Sequence, residues 1–322
     1  MEMEGLTYLD VEKPKLVIFC GKGGVGKTTC ATATALHFAK KGLRTLLIST
    51  DPTPSLSDIL EVNARGYIVN LKDVKKLNVV ELDYDLVVEK WKEKFGYEVY
   101  EVVSSFLPIG EEIIEYIAGA PGIDEEFALS YVLDLYESGN YDVIVWDTAP
   151  AGGTLSLLKL QDKFYRHLGE AAKLYMRVRK AIEILTKGKS KRRDPLEVIS
   201  EWEKLAQKVF SMLRDEKTHT IIVTIAEALG VKQTERVLKE LQTFNMKVSK
   251  IIVNYIITPD VCTCDFHMER ATMQKNYIEI LKNICGESML TTLPQLPREV
   301  KGLKVVEKVE ELLFKTSSTL KT

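Results

Sequence analysis

Short apolar runs, most of them rich in Val and Ile, recur along the chain at intervals suited to parallel strands. They are Leu16–Phe19, Thr45–Ser49, Val79–Leu82, Val143–Trp146, Thr220–Ile225, Lys250–Asn254 and a weaker Met289–Leu293. Each is apolar on both faces, the pattern of a strand covered by helices on either side of a sheet. Helical periodicity fills the intervals, for example from Thr28 to Lys41. This predicts an α/β fold with a mainly parallel central sheet flanked by helices, and a ligand at the carboxyl ends of the strands.

Two intervals are too long for simple crossovers. Residues 84–139 carry turn signals at Pro108-Ile-Gly110 and Pro121-Gly122, and residues 159–217 are interrupted at Asp194-Pro195. The expected organisation is one core domain from segments 14–83, 140–158 and 218–315, with an inserted α-helical subdomain from 84–139 and 159–217. In the second insertion Phe164, Leu168, Ala171, Tyr175, Val178, Ile182 and Leu185 recur at three- or four-residue steps. Arg166, Lys173, Arg177 and Lys180 take the other face. Such a stripe either packs against the first insertion or lines a groove for a client helix, and periodicity by itself favours packing.

Composition narrows the partners. The chain has 322 residues, 45% of them apolar, and a formal net charge of −2. That balance makes no bulk electrostatic case for nucleic acid or an anionic membrane. The basic run Lys187–Arg193 reads as a solvated loop. Met1 to Lys13 is acidic rather than leader-like, and no stretch reaches the ~18 apolar residues of a membrane span. The five cysteines, Cys20, Cys30, Cys262, Cys264 and Cys285, are an odd number in a long chain. They argue for a reducing cytoplasm over a disulfide framework.

The chemistry concentrates in Gly21-Lys22-Gly23-Gly24-Val25-Gly26-Lys27-Thr28-Thr29, between a strand and a helix. This satisfies G-x-x-x-x-G-K-[ST], a loop that wraps the phosphates of ATP or GTP. Glycines let backbone N–H groups converge on phosphate oxygens, and the helix N-terminus adds positive potential. Lys27 is expected on the β- and γ-phosphates and Thr28 on Mg²⁺. Lys22 is a second lysine that the general pattern does not require. Asp51, after the second strand, is the candidate for activating the attacking water, and can also hold Mg²⁺ through water. Asp58 is expected to cap a helix or to serve the switch conformation. Asp147, ending an apolar strand, is the second acidic element steadying Mg²⁺, and Ala149-Pro-Ala-Gly-Gly153 reads as a switch. Asn254 either reads adenine or forms a turn.

These segments resemble the cytosolic ATPases that target tail-anchored membrane proteins and their relatives, the arsenical pump-driving ATPases. The resemblance runs from about Leu16 to Val309. It rests on Gly21–Thr29 with Lys22, on Ser49-Thr-Asp-Pro52 with Ser55-Leu-Ser-Asp58, and on Asp147-Thr-Ala-Pro with Gly152 and Thr154. Pro121–Glu125, Thr234-Glu-Arg236, Asn254 and Leu293-Pro with Leu296, Glu299 and Gly302 also match. It implies a P-loop NTPase that hydrolyses ATP to ADP with Mg²⁺ and works as a homodimer. The lysine matching Lys22 then reaches the partner's nucleotide, and the aspartate matching Asp51 activates water. Asn254, Pro294 and Leu296 match residues that contact adenine. The helical insertions would hold hydrophobic transmembrane helices of client proteins, with delivery to a membrane receptor.

The chain departs from that family in three places. Targeting members carry Cys-x-x-Cys where this chain has Cys262-Thr-Cys264, followed by His267. Intersubunit zinc on Cys262 and Cys264, with His267 in support, and unligated or redox-active thiols stand as alternatives there. Pro54, Ala151 and Gly153 replace the switch residues His, Thr and His. A pump role, driving efflux of arsenite or another anion, is the alternative function. A chain with no cysteine between Cys30 and Cys262 suits it poorly, because a metalloid site needs soft thiolates.

Overall fold

The computed structural model describes residues 5–51, 55–106, 109–120, 122–149, 194–258 and 264–315. Eight strands form one sheet in the order β3-β4-β2-β5-β1-β6-β7-β8. They are β1 (Leu16–Gly21), β2 (Thr45–Ser49), β3 (Val69–Asn70), β4 (Leu77–Glu81), β5 (Val143–Asp147), β6 (Thr218–Ile225), β7 (Val248–Ile256) and β8 (Leu290–Pro294). All pairings are parallel except that of β3 with β4. The α/β class and the mainly parallel sheet are as the sequence pattern predicts. Seven strands lie on the seven apolar runs, and β3 was not anticipated.

Every residue of β1, β2 and β5 is buried, which requires cover on both faces. Helix α2 (Lys27–Lys40) supplies part of it, being buried along nearly its whole length. Its small residues Ala31, Thr32, Ala33, Thr34 and Ala35 allow close approach on every side. The hydroxyls that this buries are satisfied within the helix: Thr32 donates to Thr28 O at 2.6 Å and Thr34 to Cys30 O at 2.8 Å. Val306, Val309 and Leu313 of the helix Leu303–Leu313 join the same core.

At the far end of α2 the buried His37 lies between two carboxylates. Its Nδ1 is 2.7 Å from Glu310 and its Nε2 3.0 Å from Asp10. The imidazole stacks on Phe314 with ring centroids 3.6 Å apart. Leu6 N donates to Leu313 O at 2.7 Å. Segments separated by most of the sequence are thus fastened to one helix.

The chain divides into two compact units. One comprises 1–83, 135–152 and 213–322 and contains the sheet; the other comprises 84–134 and 153–212. In the second unit the helices Tyr84–Trp91, Tyr97–Phe106, Glu112–Ala118, Ile123–Ser138 and Pro195–Arg214 lie wholly or partly, with a π-helical turn at Lys92–Gly96 between the first two. No helix among the described residues is long and apolar enough to cross a membrane. The stripe Phe164–Leu185, the basic run 187–193, Pro108, Pro121 and the switch positions Pro54, Ala151, Gly153 and Thr154 lie outside the described residues.

Candidate active site

The site is built at the carboxyl edge of the sheet, where β1 runs into α2. Gly21 is pressed on β6: a Cβ there would lie 2.2 Å from Val223 O, so no side chain fits. Gly26 precedes the helix with φ of 94°, and a Cβ on it would stand 2.3 Å from Asn254 Nδ2. Only glycine combines that backbone with that crowding. The first amides of α2 lack partners within the helix, so its N-terminus presents donors and positive potential to a phosphate.

The two lysines of the loop differ in environment. Lys27 is 4% exposed; its Nζ donates to Lys22 O at 3.3 Å and lies 3.7 Å from Asp51 Oδ2. Phosphate oxygens can replace both of those partners. Lys22, Gly23 and Gly24 are exposed, and Val25 is buried beneath them. Asp51 N approaches Ser49 Oγ at 3.4 Å, and the Trp146 indole donates to Thr50 Oγ1 at 3.1 Å.

Asp147 is fully buried at the end of β5. Its Oδ2 accepts from Ser49 Oγ at 3.2 Å, while Oδ1 has no hydrogen-bond partner among the described residues. Desolvation pushes this carboxyl up to about 7, against the Thr28 hydroxyl, Lys27 and Ser49, which favour the anion; Asp51 adds to the rise. Thr28 Oγ1 in turn pairs with Ser55 Oγ at 3.1 Å. A buried carboxylate oxygen without a donor, beside a threonine hydroxyl, fits a hydrated Mg²⁺. Asp147 and Thr28 would hold that ion, with Asp51 as the outer carboxylate.

A family profile described as anion-transporting ATPase matches residues 14–315 of the chain. This chain belongs to the anion-transporting ATPase family. ATPase ASNA1 homolog 2 of Paramecium tetraurelia is 30% identical over 95% of this chain and 95% of its own length. ATPase GET3 of Pyricularia oryzae is 29% identical over 98% of this chain and 94% of its own. A Halobacterium salinarum protein, whose name links it to arsenical pump driving, is 28% identical over 94% of this chain but only 44% of its own length. The ATPase described here is thus similar over nearly its whole length to relatives of about the same length, and to part of a longer one.

The remaining predicted residues of this ATPase are placed as follows. Asn254 is buried: its Nδ2 donates to Val25 O at 2.9 Å and its Oδ1 accepts from Tyr255 N at 2.8 Å. Its amide therefore props the phosphate loop. Pro294 ends β8, and Leu296 packs at the margin of the core. Asp58 is exposed in the first turn of the helix Leu56–Leu60. Cys264 Sγ lies 3.0 Å from His267 Nδ1, while Cys262 is outside the described residues. No group of three metal-ligating side chains is present among the described residues. Cys20 and Cys30 are buried, and burial pushes both thiols up to about 12, which makes them poor ligands.

Sequence reasoning missed the parts played by Ser49, Ser55 and Glu81. Glu81 is 2% exposed, with Leu56 N donating to its Oε1 at 3.0 Å and Ser57 Oγ donating to its Oε2 at 2.5 Å. The available signal was a lone carboxylate inside the apolar run Val79–Leu82.

Proposed function

We propose that two copies of this ATPase form a homodimer whose ATP-bound state holds the transmembrane segment of a tail-anchored membrane protein. Hydrolysis to ADP and phosphate then releases the client, handed to a receptor at the membrane from the cytosol. The observation that carries the reading is the division between the loop lysines: Lys27 buried against Asp51, Lys22 exposed. A cation turned out of its own loop can stabilise phosphoryl charge on a neighbouring copy, which links turnover to closure of the pair. Bound magnesium supplies neutralisation of the β- and γ-phosphate oxygens. Lys27 and the loop amides orient those phosphates, and Asp51 orients the attacking water and accepts its proton. Similarity to the proteins named GET3 and ASNA1 supports the targeting role.

The second reading, an anion pump partner, is favoured by the family description and by the Halobacterium relative. Light scattering with ATP and Mg²⁺, wild type beside Asp51→Asn, with bound proteins identified by mass spectrometry, separates the two. A dimer carrying single-helix membrane proteins, lost when Leu168 and Val178 are made charged, is expected. A client-free protein whose turnover rises with arsenite would replace the targeting reading with the pump.

A further inference from the structure

Three residues stand side by side at the carboxyl edge of the sheet. Ser49 of β2 is in register with Glu81 of β4 on one side and with Asp147 of β5 on the other. In-register neighbours of a parallel sheet point to the same face. Asp147 and Ser49 are joined by a hydrogen bond and serve the magnesium side of the site. Glu81 is as deeply buried as Asp147, and the reaction as described so far gives it no task.

Burying a carboxylate is costly unless hydrogen bonds hold it. Glu81 spends both oxygens on a single short segment, accepting from the Leu56 amide and from the Ser57 hydroxyl. Ser57 Oγ also accepts from Ala64 N at 3.3 Å, so the start of the helix Leu56–Leu60 and the chain beyond its end are linked through one carboxylate. The strand beneath is itself fixed: Leu82 N donates to Ser49 O, and Glu81 N to Ala64 O, each at 2.9 Å. Ser55, next to Leu56, makes no capping bond with its own helix; its hydroxyl faces Thr28. A cap supplied by another strand leaves Ser55 available for the phosphate loop.

We infer that Glu81 is a positioning residue for ATP hydrolysis: through Leu56 and Ser57 it holds Ser55 against Thr28. It does so by accepting hydrogen bonds, at a distance from the reacting atoms. An amide can hold the same two groups, since a glutamine accepts from Leu56 N and donates to Ser57 Oγ. A carboxylate that served as base or metal ligand could not be replaced in that way.

The test is a cycle of Glu81→Ala, Glu81→Gln, Ser57→Ala and the double variant Glu81→Ala with Ser57→Ala, in the full chain. Steady-state turnover is read beside the Kd for ADP. A second readout is amide exchange at Leu56 and Ala64 in nucleotide-free protein. Glu81→Ala and Ser57→Ala should each lower kcat by about 10- to 100-fold, the scale of a misplaced catalytic segment, while the Kd for ADP moves less than about threefold. The double variant should be no worse than the poorer single one, because both break one linkage. Both amides should lose protection, and Glu81→Gln should recover kcat to within about fivefold. Four results would each overturn the inference: wild-type turnover in Ser57→Ala, losses that multiply in the double variant, ADP affinity falling in step with kcat, or Glu81→Gln as inactive as Glu81→Ala. Should Glu81→Ala not fold, Ser57→Ala and Glu81→Gln still decide it.

Discussion

The two units of this ATPase differ in where their buried polar groups are joined. In the sheet-containing unit such groups are joined in pairs that converge on the phosphate loop: Ser49 with Asp147, Ser57 with Glu81, and Asn254 with Val25. A further pair, Thr234 with Thr224, fixes a helix against β6. The helical unit is held by apolar packing, as in the cluster of Val102, Val198 and Ile199, and by surface ion pairs of Lys92 with Glu115 and Lys94 with Asp134. Trp91 Nε1 and Glu101 Oε2 are buried there without a hydrogen-bond partner among the described residues, a condition that Asp147 Oδ1, His219 Nε2 and Thr220 Oγ1 share in the sheet-containing unit. Burial pushes the carboxyls of Glu125 and Glu126 up to about 7, with Asp124 adding to the rise at Glu125. Buried hydrogen-bonded pairs specify one geometry and penalise any other. Apolar contacts tolerate repacking at modest cost. One unit is therefore built for register, the other for accommodation.

Substitutions in the first unit should be severe and specific. Asp51→Asn is expected to lower turnover by about 10³-fold or more with ATP still bound, within the range for loss of a positioned acid–base group. Single-turnover kinetics beside nucleotide titration check this. Lys22→Ala should lower turnover by about 10³-fold, the smaller end of what a cation supplied in trans contributes. Mixing it with Asp51→Asn in equal amounts should restore part of the activity if the lysine serves the other copy. Asn254→Ala strands Val25 O and Tyr255 N, and should cost about 1–3 kcal/mol of stability, read from denaturant melts. An unchanged preference for ATP over GTP in that variant would remove a base-reading role from Asn254.

Both units should respond to pH, the sheet-containing one through Asp147 and the helical one through Glu126. Glu126 in the folded chain keeps its proton up to about 7, whereas in the unfolded chain it releases it in the ordinary carboxyl range. Between those limits the folded form binds more protons, so stability falls as pH rises through the window. Thermal melts at pH 5 and pH 8 should show this loss, and Glu126→Gln should flatten it. An identical pH slope in the variant would place the effect elsewhere, with Glu125 and Asp147 the next candidates.

Much of the sheet-containing unit was legible because its signals are repetitive. Seven apolar runs predicted seven strands, although β4 begins two residues earlier than expected and β6 begins at Thr218 rather than Thr220. The polar residues Thr218 and Thr220 blur that edge while being buried. β3 is two half-exposed or exposed residues, Val69 and Asn70, paired antiparallel to β4, too short to carry a period. The phosphate loop announced itself by glycine spacing. Glu81 did not, since its partners Leu56 and Ser57 lie about 25 residues away and nothing local marks them. The acceptor for the first amide of the helix Leu56–Leu60 is likewise unmarked locally, since Leu56 N finds it on another strand. Long-range polar pairing leaves no periodic trace in a sequence.

The clamp around His37 has a consequence for synthesis. Helix α2 forms early on the ribosome, but Glu310, which holds its imidazole, lies 273 residues further along. At usual elongation rates that is an interval of between about 14 and 55 seconds. Through that time the helix bearing the phosphate loop lacks Glu310 and the cover of Val306 and Val309, and β1 waits for β6. The nascent chain thus carries a complete nucleotide-binding motif well before it has a nucleotide-binding site.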